Sequence, residues 1–145
     1  MTSTDRAAAP RTESLAFDFD LPHPPETVWR ALTDPDLLSE WLLPVLNFKP
    51  EAGNEFTFNA APQPGWDGLV SCRMLEVDNQ RKLSWSWVAG DIDTILTFTL
   101  EPTPSGTRLV VVQSGFKPDQ KRNVAGARYG WKMMGEKLVE VLERV

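Results

Sequence analysis

The C-terminal run from residue 123 to residue 145 carries a helical repeat that constrains how the rest of the chain can fold. Its apolar residues recur at intervals of three and four, which places their side chains on one stripe of an α-helix. They are Val124, Ala127, Trp131, Met134, Leu138, Val141, Leu142 and Val145. The opposite side is charged, with Arg128, Lys132, Glu136, Glu140 and Arg144. The pattern predicts one long amphipathic helix whose apolar stripe covers a surface formed by the rest of the chain.

Two glycines flank this stripe. Gly130 and Gly135 lower the helix propensity of the run, and their missing side chains let another element, or a ligand, approach the helix backbone closely. The ordinary interpretation, a core helix with incidental glycines, stays open at this point.

Upstream of the helix, alternating polar and apolar residues predict an antiparallel sheet. The first strand is expected from Glu13 to Leu21, where Leu15, Phe17 and Phe19 lie on the buried side. Turn-forming residues then separate six further short segments, at the spacing typical of an antiparallel meander. These segments are 45–48, 55–59, 69–77, 83–88, 94–100 and 107–114.

Two short helices are predicted between the first and second strands. Pro25 suits the first position of one helix, and Asp34 followed by Pro35 is a start signal for another that runs to Trp41. The resulting fold class is α+β: a helix-grip in which a curved antiparallel sheet wraps around the long C-terminal helix. We expect a disordered lead at residues 1–11 and a single domain at residues 12–145.

Charge and cysteine content exclude several classes of partner. The net charge of −5 disfavours binding to nucleic acid and to anionic membranes. One cysteine cannot form an internal disulfide, and no apolar run is long enough to span a bilayer. We therefore expect a soluble, cytoplasmic protein.

Five blocks of the sequence, in order, resemble the START-like (SRPBCC) superfamily. They are PPETVWRALTDPDLLSEWL at 24–42, EAGNEFTFN at 51–59, GLVSCRMLEVDNQRKLSWSW at 68–87, LTFTLEPTPSGTRLVVVQSGF at 96–116 and GW at 130–131. Within the superfamily, they are most similar to homologues of the activator of the ninety-kilodalton heat-shock chaperone ATPase. The resemblance implies the helix-grip fold, a cavity between helix and sheet, and for chaperone-activator relatives a role in the stress response. Pro24 departs from the pattern, since the family has a small polar N-cap there.

Residues that commonly carry chemistry are scarce. His23, the only histidine, lies beside two prolines without a carboxylate or serine partner in a motif. Cys72 lies mid-strand among apolar neighbours, where a free cysteine acts as a small hydrophobic residue. No zinc spacing, P-loop or dinucleotide fingerprint is present. The sequence therefore predicts no catalytic residue, no metal and no cofactor.

Aromatic content is the stronger signal, because the chain has six tryptophans and each carries an N–H that needs a partner. A packed core can be built from aliphatic residues alone, so these rings and their neighbours are candidates for lining a ligand cavity between helix and sheet. The candidate set is Trp41, Phe56, Phe58, Trp66, Cys72, Trp85, Trp87, Gln113, Trp131 and Met134. The alternative is that the same residues fill the core completely.

Three functions remain open on this basis. The first is non-catalytic binding of a small hydrophobic molecule, such as a lipid, a polyketide or an aromatic compound. The second is a protein-interaction module of the chaperone-activator kind. The third is an enzyme like the cyclases and aromatases that some START-like relatives are. It ranks last because the predicted inner faces carry no convincing carboxylate, histidine or tyrosine for acid–base chemistry.

Overall fold

A computed structural model describes residues 13–145 and contains one seven-stranded antiparallel sheet and three helices. The predicted lead at 1–11 lies outside the described residues. The strands are β1 (Glu13–Leu21), β2 (Val45–Leu46), β3 (Glu55–Asn59), β4 (Leu69–Asp78), β5 (Lys82–Ala89), β6 (Ile92–Thr103) and β7 (Gly106–Phe116). The helices are α1 (Pro25–Thr33), α2 (Pro35–Trp41) and α3 (Lys121–Arg144). In the sheet the strands follow the order β1-β7-β6-β5-β4-β3-β2, so β1 forms one edge.

The two short helices begin where the sequence predicts. Pro25 occupies the first turn of α1. The carbonyl of the N-cap residue Pro24 accepts hydrogen bonds from the amides of Thr27 and Val28, but no side chain caps this helix. The side chain of Asp34 caps α2 by accepting a 2.9 Å hydrogen bond from the Asp36 amide. The cap satisfies one of the amides that have no partner within the helix.

Strand alternation is confirmed, with local differences. The register of β4 against β5 shifts between Met74 and Glu76, which is a β-bulge, and Leu75 is left 44% exposed. The predicted strand at 45–48 is shorter, because Asn47 adopts a positive φ of 65° and ends β2 after Leu46. The Asn54 side chain holds this turn by donating to the Asn47 carbonyl at 3.1 Å.

Helix α3 lies on the concave face of the sheet, as predicted. Trp131 is 2% exposed, and its ring lies between Phe17 of β1, Trp87 of β5 and Phe98 of β6, with centroid distances of 6.2–6.4 Å. Gly135 is buried, and a Cβ built there would lie 2.5 Å from Phe19 Cε1. Another element therefore does approach the helix at this glycine.

The stripe ends sooner than predicted. Leu138, Val141 and Leu142 are buried, but Val145, which follows the last helical residue Arg144, is 40% exposed. The helix also begins two residues before the predicted Asn123, at Lys121, where the Gln120 side chain accepts from the Lys117 amide. None of the helices within residues 13–145 is both long and apolar enough to cross a membrane.

Candidate ligand-binding cavity

A cavity of about 390 Å³ lies between the N-terminal half of α3 and the adjoining ends of β5, β6 and β7. We call it the α3 cavity. Its walls are mainly aromatic and aliphatic, with two amide side chains as the polar members. The lining residues are Trp66, Trp87, Ala89, Ile92, Gln113, Phe116, Asn123, Gly126, Ala127, Gly130, Trp131 and Met134.

The space exists because the helix presents small residues toward it. Gly126, Ala127 and Gly130 are three of the six α3 residues in the wall, and none has a side chain larger than a methyl group. A Cβ added at Gly126 would meet no atom within 4 Å, and one at Gly130 would meet only the flexible end of Met134, at 3.6 Å. The opposite wall, formed in part by Trp87, does not reach far enough to close the gap.

Gln113 is the buried polar residue of the wall, 3% exposed, and its amide is held at both ends. Its Oε1 accepts a 2.8 Å hydrogen bond from Trp131 Nε1, and its Nε2 donates to Thr94 Oγ1 at 3.0 Å. Thr94 Oγ1 in turn donates to the Trp87 carbonyl at 3.0 Å. The network fixes the orientation of the amide and leaves one N–H and one lone pair of Gln113 for a ligand.

Of the described wall residues, Trp66 alone comes from a loop. The loop between β3 and β4 is closed at its base by a 2.7 Å hydrogen bond from the Ala60 amide to the Gly68 carbonyl. Gln63 and Trp66 exchange two backbone hydrogen bonds of 2.9 Å, and Trp66 Nε1 donates to the Leu69 carbonyl at 3.1 Å. The indole is thus held by its own loop and lies against Gly90 of the β5–β6 turn.

Five of the ten candidate residues line the α3 cavity: Trp66, Trp87, Gln113, Trp131 and Met134. The other five, Trp41, Phe56, Phe58, Cys72 and Trp85, are at most 5% exposed and pack in the core beside it. Trp41 Nε1 donates to the Ala31 carbonyl at 2.8 Å, which gives this indole a structural partner.

Trp85 lies at the centre of the aromatic core. Its ring centroid is 5.1 Å from that of Phe98 and 5.4 Å from that of Phe56. Its Nε1 is buried without a hydrogen-bond partner among residues 13–145, which costs on the order of 1–3 kcal/mol. The adjacent inward residue of β5, Trp87, faces the cavity instead.

Cys72 lies on β4 opposite Phe56 of β3. Burial raises the pKa of its thiol to about 12, because the surrounding apolar side chains do not solvate a thiolate. The thiol therefore stays protonated at neutral pH and is not a nucleophile. His23, half-buried, contributes its backbone carbonyl to the Thr107 hydroxyl at 2.7 Å.

Sequence reasoning missed several wall residues. Ala89, Ile92 and Phe116 lie at strand ends beside turns, where alternation is too short to assign a face. Gly126 could have been predicted as a wall residue, because it lies one turn before Gly130 on the same side of α3. Within residues 13–145, no group of three His, Cys, Asp or Glu residues is placed to hold a metal ion.

Comparison with known families gives one match, which covers residues 22–143 and is described as activator of Hsp90 ATPase homolog 1-like protein. No curated protein matches the chain. Among solved structures, protein MLL2253 from Mesorhizobium loti is 41% identical, with a TM-score of 0.85 over 92% of this chain and 98% of that one.

Two further structures extend the comparison. Protein CV1439 from Chromobacterium violaceum is 26% identical, with a TM-score of 0.72 over 90% of this chain and 97% of that one. DynU16, a protein of the dynemicin biosynthetic locus, is 21% identical, with a TM-score of 0.76 over 90% of this chain and 47% of its own. This last likeness shows the fold alone. The chain therefore belongs to the family of activator of Hsp90 ATPase homolog 1-like proteins, and the START-like resemblance of its sequence is confirmed.

Proposed function

We propose that this protein binds one small, uncharged, largely aromatic molecule in the α3 cavity without covalent chemistry. The observation that carries the proposal is the composition of the wall, where Trp66, Trp87 and Trp131 meet around a space that the helix does not fill. A volume of about 390 Å³ is at the lower end of the range for small-molecule pockets, so the ligand is compact.

The absence of charge in the wall supports an uncharged ligand. Among residues 13–145, none of those that line the cavity is an Asp, Glu, Lys, Arg or His. A charged group brought into such a space loses its hydration without gaining a counter-charge. Gln113 and Asn123 can each exchange a hydrogen bond with a carbonyl or hydroxyl group, which favours aromatic ketones and phenols over hydrocarbons.

The same wall argues against the cyclase or aromatase alternative. General acid–base catalysis requires a group that gains or loses a proton near neutral pH, and an amide does not. Cys72 is kept from ionising by burial and does not line the cavity. Binding without turnover is therefore the better supported of the two.

A role as a partner of a heat-shock chaperone is the second candidate. It is favoured by the family description, which names an activator of the Hsp90 ATPase. Both proposals assume the cytoplasmic location that is expected from the sequence. A purified chaperone that shifts backbone amide signals on the outer surface, and leaves the cavity unaffected, would support this candidate.

Calorimetric titration with a panel of neutral aromatic ketones and phenols tests the primary proposal. Gly130→Leu is the blocking variant, because the new side chain enters the cavity past the flexible end of Met134. Ala125→Leu is the matched control, since it adds a similar volume to the opposite side of the same helix, which faces β1 and is not part of the cavity wall. We expect at least one compound to bind the wild type and Ala125→Leu alike and to lose about tenfold or more in affinity for Gly130→Leu. Equal affinity for all three proteins would contradict the proposal.

A further inference from the structure

A second concave surface lies on the other side of α3, along the edge strand β1. We call it the β1–α3 groove; its volume is about 650 Å³. None of its lining residues belongs to the α3 cavity. The α3 residues of the two surfaces, for example Arg128 in the groove and Gly130 in the cavity, lie on opposite sides of the helix by its 3.6-residue period.

The floor of the groove is apolar, and no element of residues 13–145 covers it. Phe17 and Phe19 are half-buried and point from β1 toward α3, and β1 has no neighbouring strand on its outer side within the described sheet. Tyr129 and Val139 border the floor and are 67% and 39% exposed. A hydrocarbon or aryl group placed here would remove these rings and methyl groups from water.

Two cations lie on the rim of the groove and have no ion-pair partner among the described residues. Arg128 and Lys132 lie one helical turn apart, and neither forms an ion pair with any residue in 13–145. Like charges at this spacing destabilise a helix slightly, and the chain as a whole carries a net charge of −5. This positive pair therefore lies beside an apolar floor in a protein whose net charge is negative.

The two carboxylates that line the groove do not neutralise this pair. Asp18 is held on β1 by Arg108, whose Nε and Nη2 donate to its two oxygens at 2.7 and 2.8 Å. Glu136 lies one turn beyond Lys132, in the less favourable order for a helical ion pair, and no ion pair between them is formed. The cations stand at the end of the groove nearer the start of the helix, and Glu136 lies toward its other end.

We propose that the β1–α3 groove binds a single amphipathic carboxylate, with its alkyl or aryl part on Phe17 and Phe19 and its carboxylate between Arg128 and Lys132. Guanidinium and ammonium groups are the usual partners of a carboxylate, and their hydrogen bonds to it are charge-assisted. A single dissolved molecule fits better than a membrane surface, because the groove is concave. The site is separate from the α3 cavity, which has no charged residue in its wall.

The test is a titration of isotopically labelled full-length protein with decanoate below its micelle concentration, followed by amide chemical shifts. Arg128→Gln combined with Lys132→Gln removes the positive pair. Arg122→Gln combined with Lys137→Gln is the matched control, because it removes the same charge from the same helix away from the groove. Decanol, the uncharged counterpart of decanoate, measures what the carboxylate contributes.

Decanoate is expected to shift amides of β1 and of residues 125–139 saturably. The Arg128/Lys132 double variant should bind about tenfold more weakly, and the Arg122/Lys137 control about as well as the wild type. Added salt should weaken binding to the wild type more than to the double variant. The proposal is overturned if decanol binds as tightly as decanoate, if both double variants lose affinity equally, or if shifts appear only at the indoles of the α3 cavity. Binding to anionic phosphatidylglycerol vesicles without binding to monomeric decanoate also overturns it.

Discussion

Trp131 and Gln113 form a buried hydrogen bond that joins α3 to β7, the strand next to the edge strand β1. Trp131 Nε1 lies 2.8 Å from Gln113 Oε1, and both residues are at most 3% exposed. The indole is the only donor on the tryptophan side chain, so it determines which end of the amide faces the helix. The same pair forms part of the α3 cavity wall, so helix anchoring and the shape of the proposed site depend on one contact.

Replacing Trp131 should separate the packing contribution from that of the hydrogen bond. Trp131→Ala is expected to lower the free energy of unfolding by about 3–5 kcal/mol, because a large ring is removed from the core. Trp131→Phe retains a ring and leaves Gln113 Oε1 without its donor, at a cost of about 1–3 kcal/mol. Denaturant titration measures both.

A double-mutant cycle with Gln113→Leu checks the hydrogen-bond contribution. If the 2.8 Å bond is the reason for the loss, Trp131→Phe should be less damaging in the Gln113→Leu background, because no unsatisfied acceptor remains. Strictly additive effects of the two substitutions would contradict this interpretation.

Two glycine substitutions in α3 should have opposite effects. Gly126→Ala adds a methyl group with no atom within 4 Å, so it should stabilise the protein by about 0.5–1 kcal/mol through helix propensity. Gly135→Ala places a Cβ 2.5 Å from Phe19 Cε1 and should be destabilising by about 1 kcal/mol or more. Thermal unfolding of the two variants provides the comparison, and a stabilising Gly135→Ala would mean that Phe19 is free to move aside.

Cys72 predicts a pH dependence of stability. Its pKa is raised in the folded protein from 9.0 to about 12, so the folded state keeps a proton that the unfolded chain loses. The contribution of the protonated thiol to the free energy of unfolding is fully present below its ordinary pKa of 9.0. It is lost as the pH rises from there to about 12. Above about pH 9, and up to about pH 12, wild-type stability should therefore fall more steeply than that of Cys72→Ala.

The same burial should slow modification of the Cys72 thiol. Labelling by a thiol reagent at neutral pH is expected to need unfolding, so its rate should rise sharply in denaturant. Rapid stoichiometric labelling of the native protein would show that the thiol is accessible.

The fold could be predicted because its strands bury one face and its helix one stripe. Alternation in β1 and the repeat around Trp131 both specify which side chains point inward. The short β2 could not be predicted, because it ends through the positive φ of Asn47, a turn held by a side chain from a later residue, Asn54.

The candidate site could be predicted only in part from the sequence, and β5 illustrates the reason. Trp85 and Trp87 share one face of the strand, and the alternation cannot distinguish them. In the structure Trp85 is enclosed by phenylalanine rings, while Trp87, two residues along, borders the cavity. Whether a tryptophan of β5 is packed or borders the cavity depends on the α3 residues that face it. Glycines of α3 leave the space beside Trp87 unfilled.

Trp66 shows a different limit of prediction from sequence, because its position could not be derived from a pattern. It lies in a loop with no periodic pattern, and its place in the wall follows from the β3–β4 loop folding toward Gly90. Trp66→Ala should therefore leave the stability nearly unchanged and increase the dissociation rate of a cavity ligand, measured by stopped-flow fluorescence. A large loss of stability would place Trp66 in the core instead.

The most direct measurement of the central claim is a set of intermolecular nuclear Overhauser effects between a neutral aromatic ligand and the indole protons of Trp87 and Trp131. A compound selected by the calorimetric panel is added to wild-type protein and to Gly130→Leu. The account predicts contacts to both indoles in the wild type, their loss in Gly130→Leu, and no contact to Phe17 or Phe19 across the helix. Saturable binding with contacts confined to the β1 side of α3, or with contacts unchanged in Gly130→Leu, would contradict it.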